Sequence, residues 1–223
     1  MGLAALAMPS GAPGAFAAIG QDSGQAQPAK KVPNARETVS SILQKVSDIL
    51  LSDTLSREQK RGKVQELIDL SVDFQTVSKL VLAQNWKKFS DAQQTEYVDL
   101  FRRHLLNTYW KNADYSAFQG MEITGDRKEA RRDWSVMSKV KSRTSDDILI
   151  DYRVRQAGEE GDPNGDWKII DILVEGVSLI SNFRSQFQSI VANDGPEKLL
   201  QLLRDKVAEG ERAEAETGPI KGS

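Results

Sequence analysis

The stretch Ile148-Leu149-Ile150-Asp151-Tyr152-Arg153-Val154-Arg155 decides the fold. Ile148, Ile150, Tyr152 and Val154 alternate with Asp151, Arg153 and Arg155, a period of two that belongs to a strand with one dry and one wet face. Upstream, Trp134, Val136, Ser138 and Val140 alternate with Lys139 and Lys141. Downstream, Trp167-Lys168-Ile169-Ile170-Asp171-Ile172-Leu173-Val174 reads as a further strand, in which Asp171 shares parity with Trp167, Ile169 and Leu173 and becomes a candidate buried acid. Short connections join these strands, and Gly161-Asp162-Pro163-Asn164-Gly165-Asp166 is a turn by composition. An antiparallel meander follows, to which Met121-Glu122-Ile123 adds an earlier strand.

On both sides of the sheet the period changes to 3.6. Val39, Ile42, Leu43, Val46, Ile49 and Leu50 predict one amphipathic helix from Asn34 to near Ser52. A capping box, Ser56-Arg57-Glu58-Gln59, opens a second helix that buries Val64, Leu67 and Ile68. Asp73 caps a short third helix with Phe74, Val77, Leu80 and Val81 on one side. The box Ser90-Asp91-Ala92-Gln93 opens the longest, whose stripe is Tyr97, Leu100, Phe101, Leu105 and Tyr109, with Lys87, Lys88, Arg102 and Arg103 left to solvent. Beyond Ser178 the helical spacing returns, with Leu179, Ile180, Phe183, Phe187, Ile190 and Val191 on one side. Asp194-Gly195-Pro196 then breaks the chain before a last helix carrying Leu199, Leu200, Leu202, Leu203 and Val207. Helices, sheet, helices is an α+β arrangement: a curved antiparallel sheet packed on several helices, a half-cone whose interior is either filled or left open for a ligand.

The chain has 223 residues, with 30 Lys+Arg against 32 Asp+Glu, a net charge of −2 that supplies no global field for gathering phosphates. With 39% hydrophobic and 28% charged residues it has material for a globular core. Residues 1–33, rich in Ala, Gly and Pro, read as a leader remnant and flexible spacer; Ala15-Phe16-Ala17 has the small-x-small form of a signal-peptidase site. The functional domain spans 34–208, and 209–223 read as a disordered tail.

Most catalytic chemistry is excluded. There are no cysteines, so disulfides, thiolate nucleophiles and cysteine-based metal sites are absent. The single histidine, His104, sits in the longest helix beside Arg102 and Arg103 as a solvated or partly packed imidazole. Gly176-Val177-Ser178 lacks the second glycine of a nucleophile elbow. The Asp162, Asn164, Asp166 spacing imitates a calcium loop, but Trp167 replaces its turn glycine and Leu173 its bidentate acid. The basic residues from Arg127 to Arg143 are interspersed with acids and carry no stacking array, so a solvated strand face is expected there and no nucleic-acid partner. Asp171 remains as a base for a small isomerase or hydrolase on a cone fold, against its use as a satisfied structural hydrogen-bond acceptor.

The run from Trp167 to Phe187, with Glu175-Gly176-Val177-Ser178-Leu179-Ile180-Ser181-Asn182-Phe183-Arg184-Ser185-Gln186-Phe187 at its heart, closely resembles the signature of the MlaC family, periplasmic phospholipid carriers also called toluene-tolerance auxiliary components of an ABC transporter. Asp73-Phe74, Leu80-Val81-Leu82, Trp86, Phe101, Leu105, Thr108-Tyr109 and the final helix follow in the same order, so the resemblance covers about Ala35 to Val207. Two departures stand out: Ala83-Gln84-Asn85 where a glycine usually precedes the tryptophan, and Phe183 for the commoner tyrosine.

The resemblance implies a cone-like, NTF2-like element with an apolar pocket between sheet and helices. It also implies a soluble periplasmic protein, a monomer without cofactor or catalytic residues, shuttling phospholipid between an outer-membrane lipoprotein complex and an inner-membrane ABC transporter with its substrate-binding subunit. That traffic maintains outer-membrane lipid asymmetry. At about 0.8 kcal/mol per CH₂, exposing two acyl chains of roughly thirty methylenes costs on the order of 24 kcal/mol, so a lipid crossing water needs a shelter. The expected lipid-binding residues are Phe74, Val77, Val81, Phe101, Leu105, Val136, Val140, Ile150, Tyr152, Ile172, Val174 and Val177. Arg184 and Gln186 are expected to order the start of their helix rather than touch headgroups. A cargo-free interaction module, with a packed interior, is the other alternative.

Overall fold

The protein is described from a computed structural model, which covers residues 34–112, 117–130, 132–158 and 165–216. Helix α1 (Ala35–Leu51) starts at Asn34, whose side chain and that of Glu37 cap each other's backbone, and α2 (Arg57–Ser71) starts at the reciprocal Ser56–Gln59 box read from the sequence. Asp73 accepts from the Thr76 N–H to open α3 (Phe74–Leu82), and a 3₁₀ segment, Ala83–Lys88, leads to α4 (Asp91–Asn112). The sheet follows as β1 (Phe118–Ala130), β2 (Asp133–Ser142), β3 (Ile148–Gln156), β4 (Trp167–Val174) and the two-residue β5 (Val177–Ser178). Strands lie in sequence order, every pair antiparallel, so the open meander and the α+β class expected from the alternation are what the chain forms.

The final helical stretch α5 (Leu179–Glu216) agrees with expectation at one point and differs at another. Asp194-Gly195-Pro196 breaks it as expected: Gly195 is non-helical, with φ +82° and ψ 175°, and proline tolerates the first helical position after it because its missing N–H is not needed there. The stretch, however, runs through Glu216, so the tail read as disordered from Glu209 is helical over its first half. Its Ala, Glu and Arg residues favour helix, and Glu211 pairs with Arg103 of α4. Residues 1–33, carrying the leader reading, and 159–164, carrying most of the turn, lie outside the described residues.

The apolar side chains form three clusters. Val77, Val81, Tyr97, Phe101, Phe183 and Phe187 join the kinked α5, through Leu199, Leu200 and Leu203, into one helical core. Rings there meet edge to face, Phe101 on Phe183 at 5.1 Å and on Phe187 at 5.7 Å. Across the sheet, Ala35, Val39 and Leu43 of α1 cover Val136, Tyr152, Val154 and Ile169. A smaller cluster joins Leu50, Val64 and Phe118. Among the described residues no helix is long and apolar enough to cross a membrane.

Candidate functional site

Between these clusters the packing is left open, enclosing a cavity of about 360 Å³. Helix α2 supplies Arg61, Val64, Gln65 and Ile68, a spacing of three and four that puts them on one stripe, continued by Val72. Helix α3 adds Phe74, Val77 and Val81; α4 adds Phe101, Leu105, Leu106, Tyr109 and Trp110. The sheet contributes Met121, Ile150, Tyr152, Ile169, Ile172 and Val174, and the first turns of α5 close the wall with Leu179, Ile180 and Phe183. Val81, Phe101, Ile180 and Phe183 are buried, whereas Tyr109 is 43% exposed and Arg61, Gln65 and Trp110 are half-buried, so the cavity has a deep end and an outer end.

A bulge sets the sheet wall. Val154 pairs with Ile169 but Arg153 pairs with Asp171, leaving Ile170 as the extra residue of β4. Ile169 therefore shares a face with Ile172 and Val174, and Asp171 lies on the opposite face from Ile169, in register with Arg153. The parity that grouped Asp171 with Ile169 is thus corrected. Strict alternation cannot reveal an inserted residue when the run is apolar on both sides.

Asp171 is buried, as its parity suggested, for another reason. Its carboxylate accepts from Ser178 Oγ at 2.7 Å, from the Ile172 N–H at 2.9 Å and from the Ile180 N–H at 3.2 Å, with Arg153 Nη1 3.9 Å away. It ties β4 to the first turn of α5, where a negative charge also suits the helix dipole. Ser178 in turn accepts from the Ser181 N–H, and Glu175 accepts from the Leu149 N–H at 2.6 Å. Glu175 and Gly176 have φ of +49° and +77°, the mirror-image turn of a two-residue hairpin. The Glu-Gly-Val-Ser signature is therefore the joint between sheet and helix, and Glu175 together with Asp171 of β4 is engaged in holding that joint.

Of the twelve expected site residues, nine line the cavity: Phe74, Val77, Val81, Phe101, Leu105, Ile150, Tyr152, Ile172 and Val174. The other three lie elsewhere. Val136 is fully buried in the α1–sheet cluster, Val140 packs with the cluster around Leu50 and Phe118, and Val177, in the short strand β5, is 62% exposed. Val136, Tyr152 and Ile172 occupy one row of the same sheet face, but α1 covers one part of that face and the cavity another. Alternation reveals a face and not what lies above it.

Sequence reasoning missed Arg61 and Gln65 altogether and read Val64, Ile68, Leu179, Ile180 and Phe183 as core. A signal was present in α4, whose end is apolar on two adjoining faces (Leu105, Leu106, Tyr109, Trp110), wider than one core-facing stripe needs. Tyr152 is pushed up to about 12 by burial, against a smaller opposing effect of its Ser138 hydrogen bond, so its phenol stays neutral at the wall. His104 does not line the cavity. Its ring meets Phe183 edge-on at 5.9 Å, and burial, then Lys206, hold its pKa below the usual range. Arg184 donates to the Leu80 carbonyl through Nε (3.0 Å) and Nη2 (2.6 Å), locking α5 to the end of α3, while Gln186 donates to Asn182. Among the described residues no group of three His, Asp or Glu is placed to hold a metal ion.

An apolar cavity held between an open antiparallel sheet and a helical core defines an α+β protein of the cavity-bearing kind. The chain belongs to the MlaC family, whose model, described as MlaC protein, matches residues 36–205. Among solved structures it is similar to the phospholipid-binding protein from Ralstonia solanacearum, determined in complex with a phospholipid. The TM-score is 0.69 at 25% identity, over 80% of this chain and 99% of that one. No curated protein matches the chain.

Proposed function

We propose that this protein is a periplasmic phospholipid carrier. It acts as a soluble monomer that takes lipid from one membrane complex, an outer-membrane lipoprotein assembly, and delivers it to another, an inner-membrane ABC transporter with its substrate-binding subunit, or the reverse. The observation that carries this reading is the cavity: about 360 Å³, within the ~300–1,000 Å³ range of ligand sites, with Arg61, Gln65 and Asp171 as its only charged or amide residues among the described lining. Family membership and the phospholipid in the similar Ralstonia protein support the same ligand class.

The physical logic is partition. Acyl chains leave a membrane only if an equally apolar environment receives them, and a wall of aliphatic and aromatic side chains supplies it without directional chemistry. Such a wall reads bulk and length and tolerates chain variety. A carrier that shelters its cargo this well does not empty spontaneously. Release requires a partner that prefers the open state of the pocket or offers the lipid a better one. The isomerase alternative rested on Asp171, whose oxygens are taken up by Ser178 and by the Ile172 and Ile180 N–H groups.

Transfer between vesicles tests the proposal. Donor vesicles containing a fluorescent phosphatidylglycerol are mixed with unlabelled acceptors and the purified protein. Transfer in proportion to protein concentration is expected, and protein that never acquires or passes on label would overturn the carrier reading.

A further inference from the structure

The 3₁₀ segment Ala83–Lys88 takes no part in the cavity, yet it is held in a fixed shape. Ala83 turns the chain at φ +49°, and strain of that kind persists where the surroundings over-determine it. The Trp86 and Phe89 carbonyls both accept from Gln94 Nε2, at 3.2 and 3.0 Å, which fastens the segment to the first turn of α4. Trp86 meets Tyr97 of the helical core edge-on at 6.5 Å but stays half-buried, and Lys79 Nζ stands over its ring, 5.7 Å from the centroid. Lys87 and Lys88 follow it, both exposed. Arg184 joins them from α5, and because its guanidinium donates to the neutral Leu80 carbonyl its charge is kept. Among the described residues none of these cations pairs with a carboxylate, whereas Arg36, Arg102, Arg103, Arg155 and Arg204 each do. The nearest acid along the chain, Asp91, opens α4 and leaves the face positive.

We infer that this face, Trp86 with Lys79, Lys87, Lys88 and Arg184, is a docking surface for a carboxylate-rich segment of a partner protein. Charge complementarity selects an anionic occupant, and position selects a protein over a bilayer. The face lies at the start of α4, whereas Tyr109 and Trp110 at the far end of the same helix line the outer end of the cavity. From Asp91 to Tyr109, at about 1.5 Å per residue, the helix spans roughly 27 Å. A membrane bound here would hold the outer end of the cavity away from the lipid it takes up, while a protein tether leaves that end free to load and unload. That choice rests on the reading of the cavity as a lipid site; the anionic character of the occupant does not. Cations set on a fixed frame steer an acidic partner into encounter and fix its register more than they add affinity.

The test uses the full chain and a fluorescein-labelled octaglutamate peptide, with binding read by anisotropy at about 50 and about 300 mM salt, where surface charges are screened less and more. Wild type is expected to bind the peptide at the lower salt and to lose most of that affinity at the higher. Lys79→Gln, Lys87→Gln and Lys88→Gln combined should weaken binding about tenfold or more. Lys45→Gln, Lys63→Gln and Lys198→Gln combined remove the same charge from exposed lysines elsewhere and should change it less than about twofold. Equal weakening by the two triple variants, or by neither, overturns the docking surface, and so does wild type that binds no peptide. Pelleting of wild type with phosphatidylglycerol vesicles, abolished by the first triple variant alone, assigns the face to a membrane and overturns the protein partner. Both triple variants should still pass lipid between vesicles, and a loss confined to the first would make the face part of the lipid path and overturn the tether. Wild type that transfers no lipid overturns the carrier reading and, with it, the choice of protein over bilayer.

Discussion

Ala83 ends α3 with φ +49° and ψ −122°, a conformation that glycine adopts freely and a β-carbon resists. It is also a residue of the segment where the family resemblance called for a glycine, so that departure in sequence coincides with backbone strain. Ala83→Gly is expected to stabilise the protein by about 1 kcal/mol, seen as a higher urea midpoint at unchanged slope. His104 gives a pH dependence whose sign follows from its lowered pKa. Between the folded value and the ordinary value of about 6.5, the unfolded chain binds a proton that the folded chain does not, so stability falls as pH drops below about 6.5. Melting temperatures across that window should decline less steeply in His104→Leu than in wild type. The helical spacing places His104 in its helix but does not decide between a solvated and a partly packed ring. Its contact with Phe183 depends on how α5 crosses α4, which no local pattern encodes.

At the scale of elements, β2 and β3 offer a matched pair of substitutions. Ile150 faces the cavity, whereas Val140, two pairings along the same sheet face, packs against the cluster around Leu50 and Phe118. Ile150→Trp should fill ligand space, reducing bound lipid about tenfold or more with the fold kept. Val140→Trp should instead overpack a cluster and cost about 1–3 kcal/mol of stability with lipid per folded molecule unchanged. Lipid extraction of both variants, beside denaturant titrations, separates the outcomes. Helix starts were legible because caps are local: Asn34, Ser56, Asp73 and Ser90 each hydrogen-bond the first turn they precede. The bulge at Ile170 was not, because Trp167–Val174 is apolar on both faces and carries no phase. Likewise the spacing in α2 predicts burial of Leu67 and Ile68, yet within the helix only Val64 and Ser71 are buried; Ile68 lines the cavity, which, unlike a core, leaves a residue partly uncovered.

For the whole molecule, an empty cavity is a liability. Taking about 24 cal/mol per Å³, roughly 360 Å³ of unfilled space would cost at most on the order of 9 kcal/mol, an upper bound because the outer end admits water. Occupied, the same volume is a source of stability through ligand linkage. Delipidated protein should therefore melt several degrees below lipid-loaded protein and recover on incubation with phosphatidylglycerol vesicles; equal melting temperatures would mean that nothing of consequence fills the space. The α+β class was legible at this scale because the hydrophobic period changes from 3.6 to 2 and back. Whether sheet and helices meet tightly or part around a ligand was not, because core and pocket demand the same apolar residues.

The most direct measurement is native mass spectrometry of the protein taken from the cell envelope without detergent, with lipid analysis of the solvent extract. A stoichiometric diacyl phospholipid, released on unfolding, is the expected result. A folded protein carrying no lipid, or holding a small polar metabolite instead, would contradict a carrier role.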